Sequence, residues 1–299
     1  MENLSGSHTA YSITDPETLY SITDPETLVS SVVVASPHSG RQYDSEFLSQ
    51  SILDDHVIRS SEDAYVDLLV DYVPDFGAPL LTANAPRAFL DLNRSKQELD
   101  PALIKGVRSK SQNPRIASGL GIIPRVVANG RSIYRGKLSL SEANRRISLY
   151  WEPYHAALSQ LLERAHGEFG RSILLDMHSM PHEAAMQSGT LRPIPQIVIG
   201  DRFGSSADKI IVDKIEALFV NQGFRVARNA PFAGAFMTQN YGRPYLGHHV
   251  VQIEIDRSLY LDEEAINLSK EHAAVKQRLK MVLSELIAFG GEERAMAAE

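Results

Sequence analysis

Six short runs rich in β-branched and apolar residues, at 31–35, 79–82, 172–176, 195–199, 224–228 and 250–255, recur along this chain with helical patterns between them. No other feature constrains the fold as much, because such alternation predicts an α/β fold in which helices cover both faces of one sheet and working groups sit on loops at strand ends. Among the helical patterns, residues 205–221 place Ile211, Ile215, Leu218 and Phe219 on one stripe, with Gly223 positioned to stop the helix. Val275, Leu279, Val282, Leu283 and Leu286 form a second stripe near the C-terminus. A chain of 299 residues can bury a substantial core, and no linker is long or polar enough to divide it.

Two segments depart from this rhythm. The string YSITDPETL at 11–19 is repeated letter for letter at 20–28. One duplicated nonamer is too short and too few for a stacking architecture, so residues 1–28 read as a peripheral arm and 29–299 as the folded domain. Residues 95–138 carry Pro101, Pro114, Gly119, Gly121, Pro124, Gly130 and Gly136 with weak periodicity, the mark of an ordered excursion beside a site.

Composition removes several function classes. With no cysteine, thiolate metal sites, disulfides and a cysteine nucleophile are excluded, so any metal must take nitrogen and oxygen ligands. A formal net charge of −7 without a basic block argues against nucleic-acid and anionic-membrane partners. Neither a secretory leader nor an apolar run of membrane-spanning length is evident, and a cytoplasmic location is the expectation.

Three strand-like runs end in polar groups. Ile173-Leu174-Leu175 leads to Asp176 and His178, and Val32-Val33-Val34 leads to Pro37-His38-Ser39-Gly40, where Gly40 suits a sharp turn. A lone loop histidine is more often hydrogen-bonded than metal-bound, but Asp176 two residues before His178 can orient that imidazole. The third run, Val250 to Arg257, puts Gln252, Glu254 and Asp256 on one face, which must look into a cavity or, in an edge strand, into solvent. Between the histidines, Ser60-Ser61-Glu62-Asp63 reads as a helix start, with capping serines and acids in the first turn. Arg87, Arg94 and Arg257 offer guanidinium forks for a carboxylate or an oxyanion, although each by itself is more commonly solvated. Two imidazoles, one carboxylate and an open position form the catalytic zinc arrangement of several hydrolases, and Glu254 near a metal would be a suitable general base.

Six ordered blocks then resemble the N-formylglutamate amidohydrolase family: Pro37 to Gly40, Asp91 to Arg94, Gly119 to Pro124, Tyr154 to Leu158, Asp176 to Pro181 and Gln252 to Tyr260. The resemblance implies a zinc-carboxypeptidase-like fold with a mixed, mostly parallel sheet, related to zinc carboxypeptidases and aspartoacylases. It also implies one Zn2+ per chain, held by His38, His178 and an acid of the Glu62-Asp63 pair, with Asp63 the better match. Glu254 takes the base position, and Asn93 with Arg94 the substrate-carboxylate grip, assisted by Arg87 and Arg257. The implied substrate is a small N-acylated acidic amino acid, N-formyl-L-glutamate above all, split to formate and glutamate in histidine breakdown. A carboxypeptidase-like or other deacylase activity is the alternative within the enzyme class, and a metal-free carboxylate-binding protein the alternative outside it. Asp256 stands where many members of the family have Asn, which bears on specificity rather than on the metal ligands.

Overall fold

The computed structural model describes residues 19–108, 113–187 and 193–297. All six β-patterned runs are strands, named here β2 (Val32–Ser36), β3 (Leu80–Ala83), β4 (Ser172–Met180), β5 (Ile197–Gly200), β6 (Val226–Arg228) and β7 (His248–Asp256). Together with β1 (Tyr20–Thr23) they form one sheet in the order β1-β3-β2-β4-β7-β5-β6. The four central strands β3, β2, β4 and β7 run parallel, β5 and β6 run opposite to them, and β1 is antiparallel to β3. A two-stranded ladder of β8 (Leu261–Asp262) and β9 (Asn267–Leu268) lies apart from this sheet.

The helices are α1 (Ser45–Gln50), α2 (Val66–Leu69), α3 (Pro114–Ala117), α4 (Leu140–Arg146), α5 (Glu152–Phe169), α6 (His182–Gln187), α7 (Lys209–Asn221), α8 (Phe236–Tyr241) and α9 (His272–Ala297). Strand alternation sorts the core into two layers. Val32, Val34, Ile173, Leu175, Met177, Val251 and Ile253 pack against α7 and α9, through Ile211, Ile215, Phe219, Leu279, Val282 and Leu283. Val33, Ala35, Leu174 and Val250 face the other way, onto Ala143 of α4 and Tyr154, Leu158 and Leu161 of α5. The sheet is therefore covered on both faces, as its near-continuous apolar strands require. Among the described residues no helix is long and apolar enough to cross a membrane.

Three local readings change. Tyr20–Thr23, inside the segment expected as a peripheral arm, occupies the sheet edge, with Tyr20 paired to Ala83 and Thr23 to Leu80. The first nonamer copy lies outside the described residues except for the buried Leu19. Second, α7 begins at Lys209 and not near 205, because Asp208 is extended (φ −67°, ψ 144°) and stands as its N-cap. Third, Ser60 to Leu69 is not one helix. A 3-10 turn over Val57–Ser61 ends at Glu62, and Tyr65 at φ 63° turns the chain before the single turn of α2.

Candidate metal centre and active site

The face of the sheet that packs on α4 and α5 turns polar toward the carboxyl ends of its strands. On β4 the residues following Leu174 on that face are Asp176 and His178, and on β7 those following Val250 are Gln252 and Glu254. The β4–β7 register pairs Asp176 with Gln252 and His178 with Glu254. β7 is thus a central strand and its polar face is buried, Glu254 being only 7 % exposed. His38 arrives from β2, the other neighbour of β4. The chain leaves β2 toward β3 on one side while β4 and β7 lie on the other, so the site occupies the switch point where crevices form in such sheets.

Gly40 is required here by a close approach and not by its φ. A Cβ at this position would lie 2.0 Å from the Ala85 carbonyl oxygen. Asp63 is drawn in by a backbone bond from its N–H to the His38 carbonyl, at 3.0 Å. Asp63 Oδ2 then lies 2.9 Å from His178 Nδ1 and 3.4 Å from His38 Nδ1. One ligand atom from each of these three buried residues falls within 4.8 Å of the others. Glu62 does not compete: its carboxylate accepts from the Tyr43 hydroxyl at 2.7 Å and from Arg59 Nε at 3.0 Å, away from the imidazoles.

Each imidazole is held from behind by another carboxylate. His38 Nε2 is 2.8 Å from Asp91 Oδ1, and His178 Nε2 is 2.9 Å from Asp176 Oδ1 in an ion pair too poorly aligned to count as a hydrogen bond. Without a cation, the His178 Nδ1–H donates to Asp63 Oδ2; with one bound, a proton kept at each Nε2 would leave the Nδ1 lone pairs to face it. His38 Nδ1 is fully buried with no hydrogen-bond partner, the kind of orphaned acceptor that a cation satisfies. Two imidazole nitrogens and one carboxylate oxygen also suit zinc in charge and hardness.

Electrostatics follow the same arrangement. Burial alone would raise the Asp63 carboxyl, but the two imidazoles, His178 foremost, outweigh it and hold Asp63 well below the usual carboxylate range. Burial likewise opposes ionisation of Asp91, and Arg87 followed by His38 holds it far down. His178 is pushed well above the ordinary imidazole value, because Asp176 and Asp63 overcome its desolvation. Glu254 goes the other way: desolvation raises it to about 7 against the pull of His178.

Around these groups opens a cleft of about 800 Å³ lined by Arg87, Arg94, Arg115 and Arg257 as well as by His38, Asp63, His178 and Glu254. The excursion over 95–138 forms part of its wall through Leu120 and Val126 to Gly130. Of the expected arginines, Arg257 donates to Asp63 Oδ1 at 3.0 Å and to Ser179 Oγ at 3.1 Å. Arg87 donates Nε to Asp91 Oδ2 at 3.1 Å, and one of its terminal nitrogens lies 3.9 Å from Asp63 Oδ1. Arg94 gives Nε to the Leu120 carbonyl at 3.1 Å and stands 3.9 Å from Asp91. Asn93 is engaged at both ends of its amide. Its Oδ1 accepts from Met237 N at 2.8 Å, while Nδ2 lies 3.1 Å from both Asp176 Oδ2 and His178 Nε2. Asp256 turns from the cleft, capping the Ser258 N–H at 3.0 Å and meeting His182 Nδ1 at 2.8 Å.

Three contributors carry no role in the sequence reading. Asp91 anchors His38 although its block was notable for the Asn-Arg that follows. Gln252 accepts from Ala235 N at 3.0 Å and donates to Glu254 Oε1 at 2.7 Å, and its place on the polar face of β7 was the available clue. His155 joins Tyr241 at 2.7 Å to the Leu92 carbonyl at 2.9 Å, bracing the loop that carries Asp91 and Asn93, and burial pushes it down to about 3 so that it stays neutral.

An α/β sheet whose central strands deliver two anchored imidazoles, an ionised carboxylate and a second carboxylate of raised pKa into one cleft defines a site able to hold a divalent cation beside a general base. The chain belongs to the N-formylglutamate amidohydrolase family, whose sequence pattern matches residues 30–261. It is 27% identical to the N-formylglutamate deformylase of Pseudomonas aeruginosa, over 88% of this chain and 95% of that protein. The N-formylglutamate deformylase of Pseudomonas putida is also 27% identical, over 87% and 94%. The crystal structure of N-formylglutamate amidohydrolase from Ralstonia eutropha superposes with a TM-score of 0.86 at 32% identity, covering 91% of this chain and 98% of that one.

Proposed function

We propose that this chain is a zinc-dependent amidohydrolase that splits N-formyl-L-glutamate with water into formate and L-glutamate. The observation that carries the metal assignment is the unpartnered, buried Nδ1 of His38, held toward Asp63 and His178 by the Asp91 bond behind its ring. His38, Asp63 and His178 would hold one Zn2+ per chain. Bound there, zinc would supply a Lewis acid that polarises the formyl carbonyl and makes water a stronger acid.

The remaining chemistry belongs to side chains of this protein. Glu254 takes a proton from the attacking water and returns it to the amide nitrogen as the C–N bond breaks, and its burial, which disfavours the charged carboxylate, suits a group that must do both. Gln252 aims that carboxylate. Arg87, the cleft arginine whose free end approaches Asp63, stabilises the negative charge that develops on the carbonyl oxygen. Arg94 receives a substrate carboxylate. Asn93 and Arg257, expected to bind substrate, are better suited to holding His178 and Asp63 in position, since their polar atoms are already engaged there.

The test compares N-formyl-L-glutamate with N-acetyl-L-aspartate and a dipeptide panel, alongside metal analysis of the purified protein. The expected result is one zinc per chain and the highest kcat/KM for N-formyl-L-glutamate, abolished by a chelator and restored by zinc. Preference for another acyl amino acid would move the enzyme to a related deacylase. Carboxylate binding with neither zinc uptake nor turnover would make the chain a binding protein.

A further inference from the structure

The four arginines of the cleft are not equivalent in charge. Arg257 is committed to Asp63, and Arg87 to Asp91. Asp91 is saturated, since besides Arg87 it accepts from His38 Nε2 and from the Asn93 N–H. Arg94 therefore reaches a carboxylate only at 3.9 Å, although its side chain is 7 % exposed. Arg115, on α3, lines the same cleft, and among the described residues no carboxylate lies within ion-pair distance of it.

Both cations are built onto one element of the wall. Arg94 Nε donates to the Leu120 carbonyl at 3.1 Å, and the Leu120 N–H donates to the Arg115 carbonyl at 2.8 Å. They also sense each other: burial leads in lowering the Arg94 pKa, and the charge of Arg115 adds to it. Two guanidinium groups lining one cleft repel, while Asp91 and Glu98 attract Arg94 without a close contact to either. A carboxylate placed between them converts that repulsion into two charge-assisted bonds.

We infer that Arg94 and Arg115 together form the receptor for the side-chain carboxylate of the substrate and so select dicarboxylic acyl amino acids over their neutral analogues. This rests on the reading of N-formyl-L-glutamate as substrate. Arg115 comes from the 95–138 excursion, so the segment outside the strand-helix rhythm supplies the discriminating charge. The selection is asymmetric: a neutral side-chain amide offers nothing to cancel the two cations, and a site built for a polar partner rejects the analogue that lacks it.

The experiment measures kcat/KM for N-formyl-L-glutamate and N-formyl-L-glutamine with wild type, Arg115→Gln and Arg115→Lys. Arg115 is exposed, and matched melting temperatures establish that the variants fold. In Arg115→Gln the glutamate-over-glutamine ratio falls about tenfold or more, chiefly through KM for N-formyl-L-glutamate, while Arg115→Lys retains more of it. A smaller fall overturns the inference. If wild type turns over neither compound, the substrate reading fails separately, and calorimetry with glutarate against its monoamide decides the receptor. Arg115→Gln must then lose about tenfold or more in affinity for glutarate relative to the monoamide, and equal losses for both overturn it.

Discussion

At the residue scale, Glu254 joins function to a local instability. Replacing it with Gln is expected to lower kcat by about a thousandfold or more, in the upper range for loss of a general base, with one zinc per chain retained. Turnover close to wild type would remove Glu254 from the mechanism. The same variant has a signature in stability. The folded pKa of Glu254, about 7, lies above its unfolded value, so its contribution is fully present below about pH 4.3 and lost as pH rises through 7. Metal-free Glu254→Gln protein is therefore expected to gain on the order of 1–3 kcal/mol over wild type at pH 8 and to gain nothing at pH 4. Urea melts at the two pH values measure this, and an equal difference at both would discard the burial account. Asp91→Asn tests the anchor behind His38. It should weaken zinc affinity by about 10–100-fold while the protein remains folded, as read by competition with a chromogenic chelator.

At the scale of elements, the site depends on how closely the β2 turn approaches its neighbour. Gly40→Ala would drive a Cβ into the backbone of Asn84 and Ala85. The turn that carries His38 must then move, so this variant is expected to lose several kcal/mol of stability and most of its zinc binding. A melting temperature within a degree of wild type would show that the turn can yield. Strand and helix identity was largely legible, because periods of 2 and 3.6 are written within each segment, as in Val251, Ile253 and Ile255 on β7 or Val275, Leu279 and Val282 on α9. Ser60 to Leu69 was misleading for the same local reason: the serines and acids have the composition of a helix start, yet Tyr65 in the left-handed region breaks the chain after Asp63. That break frees Asp63 to point at His38 instead of lying along a helix.

For the whole molecule, the buried charges set an acid limit. Asp63 and Asp91 have folded pKa values below their unfolded ones, so they add stability above about pH 4 that is lost as pH falls through the folded values. The melting temperature of metal-free protein should drop steeply below about pH 4, and Asp91→Asn should flatten that drop. In the proposed site zinc would bind only the folded arrangement, its ligands coming from the turn after β2, the Asp63 turn and β4, so chelation is expected to lower the melting temperature and added zinc to raise it with concentration. A melting temperature indifferent to zinc would contradict a preformed site.

The sequence by itself determined the alternating elements, the two-sided burial of the central strands, the nitrogen and oxygen donor chemistry and the residues at strand ends from which a site could be assembled. The elements, their burial and the strand-end residues are encoded within a few consecutive positions, and the donor chemistry in the absence of cysteine from the whole chain. Only the tertiary structure turned Glu62 to Tyr43 and Arg59, drew Asp91 behind His38, turned Asp256 toward His182, placed Asn93 and Arg257 beside the candidate ligands, and brought Arg115 into the wall of the cleft that Glu254 also lines. The reason is geometric: where a side chain points beyond the end of its strand depends on partners far away in sequence, such as the 115 residues separating Asp63 from His178, and no local period records them.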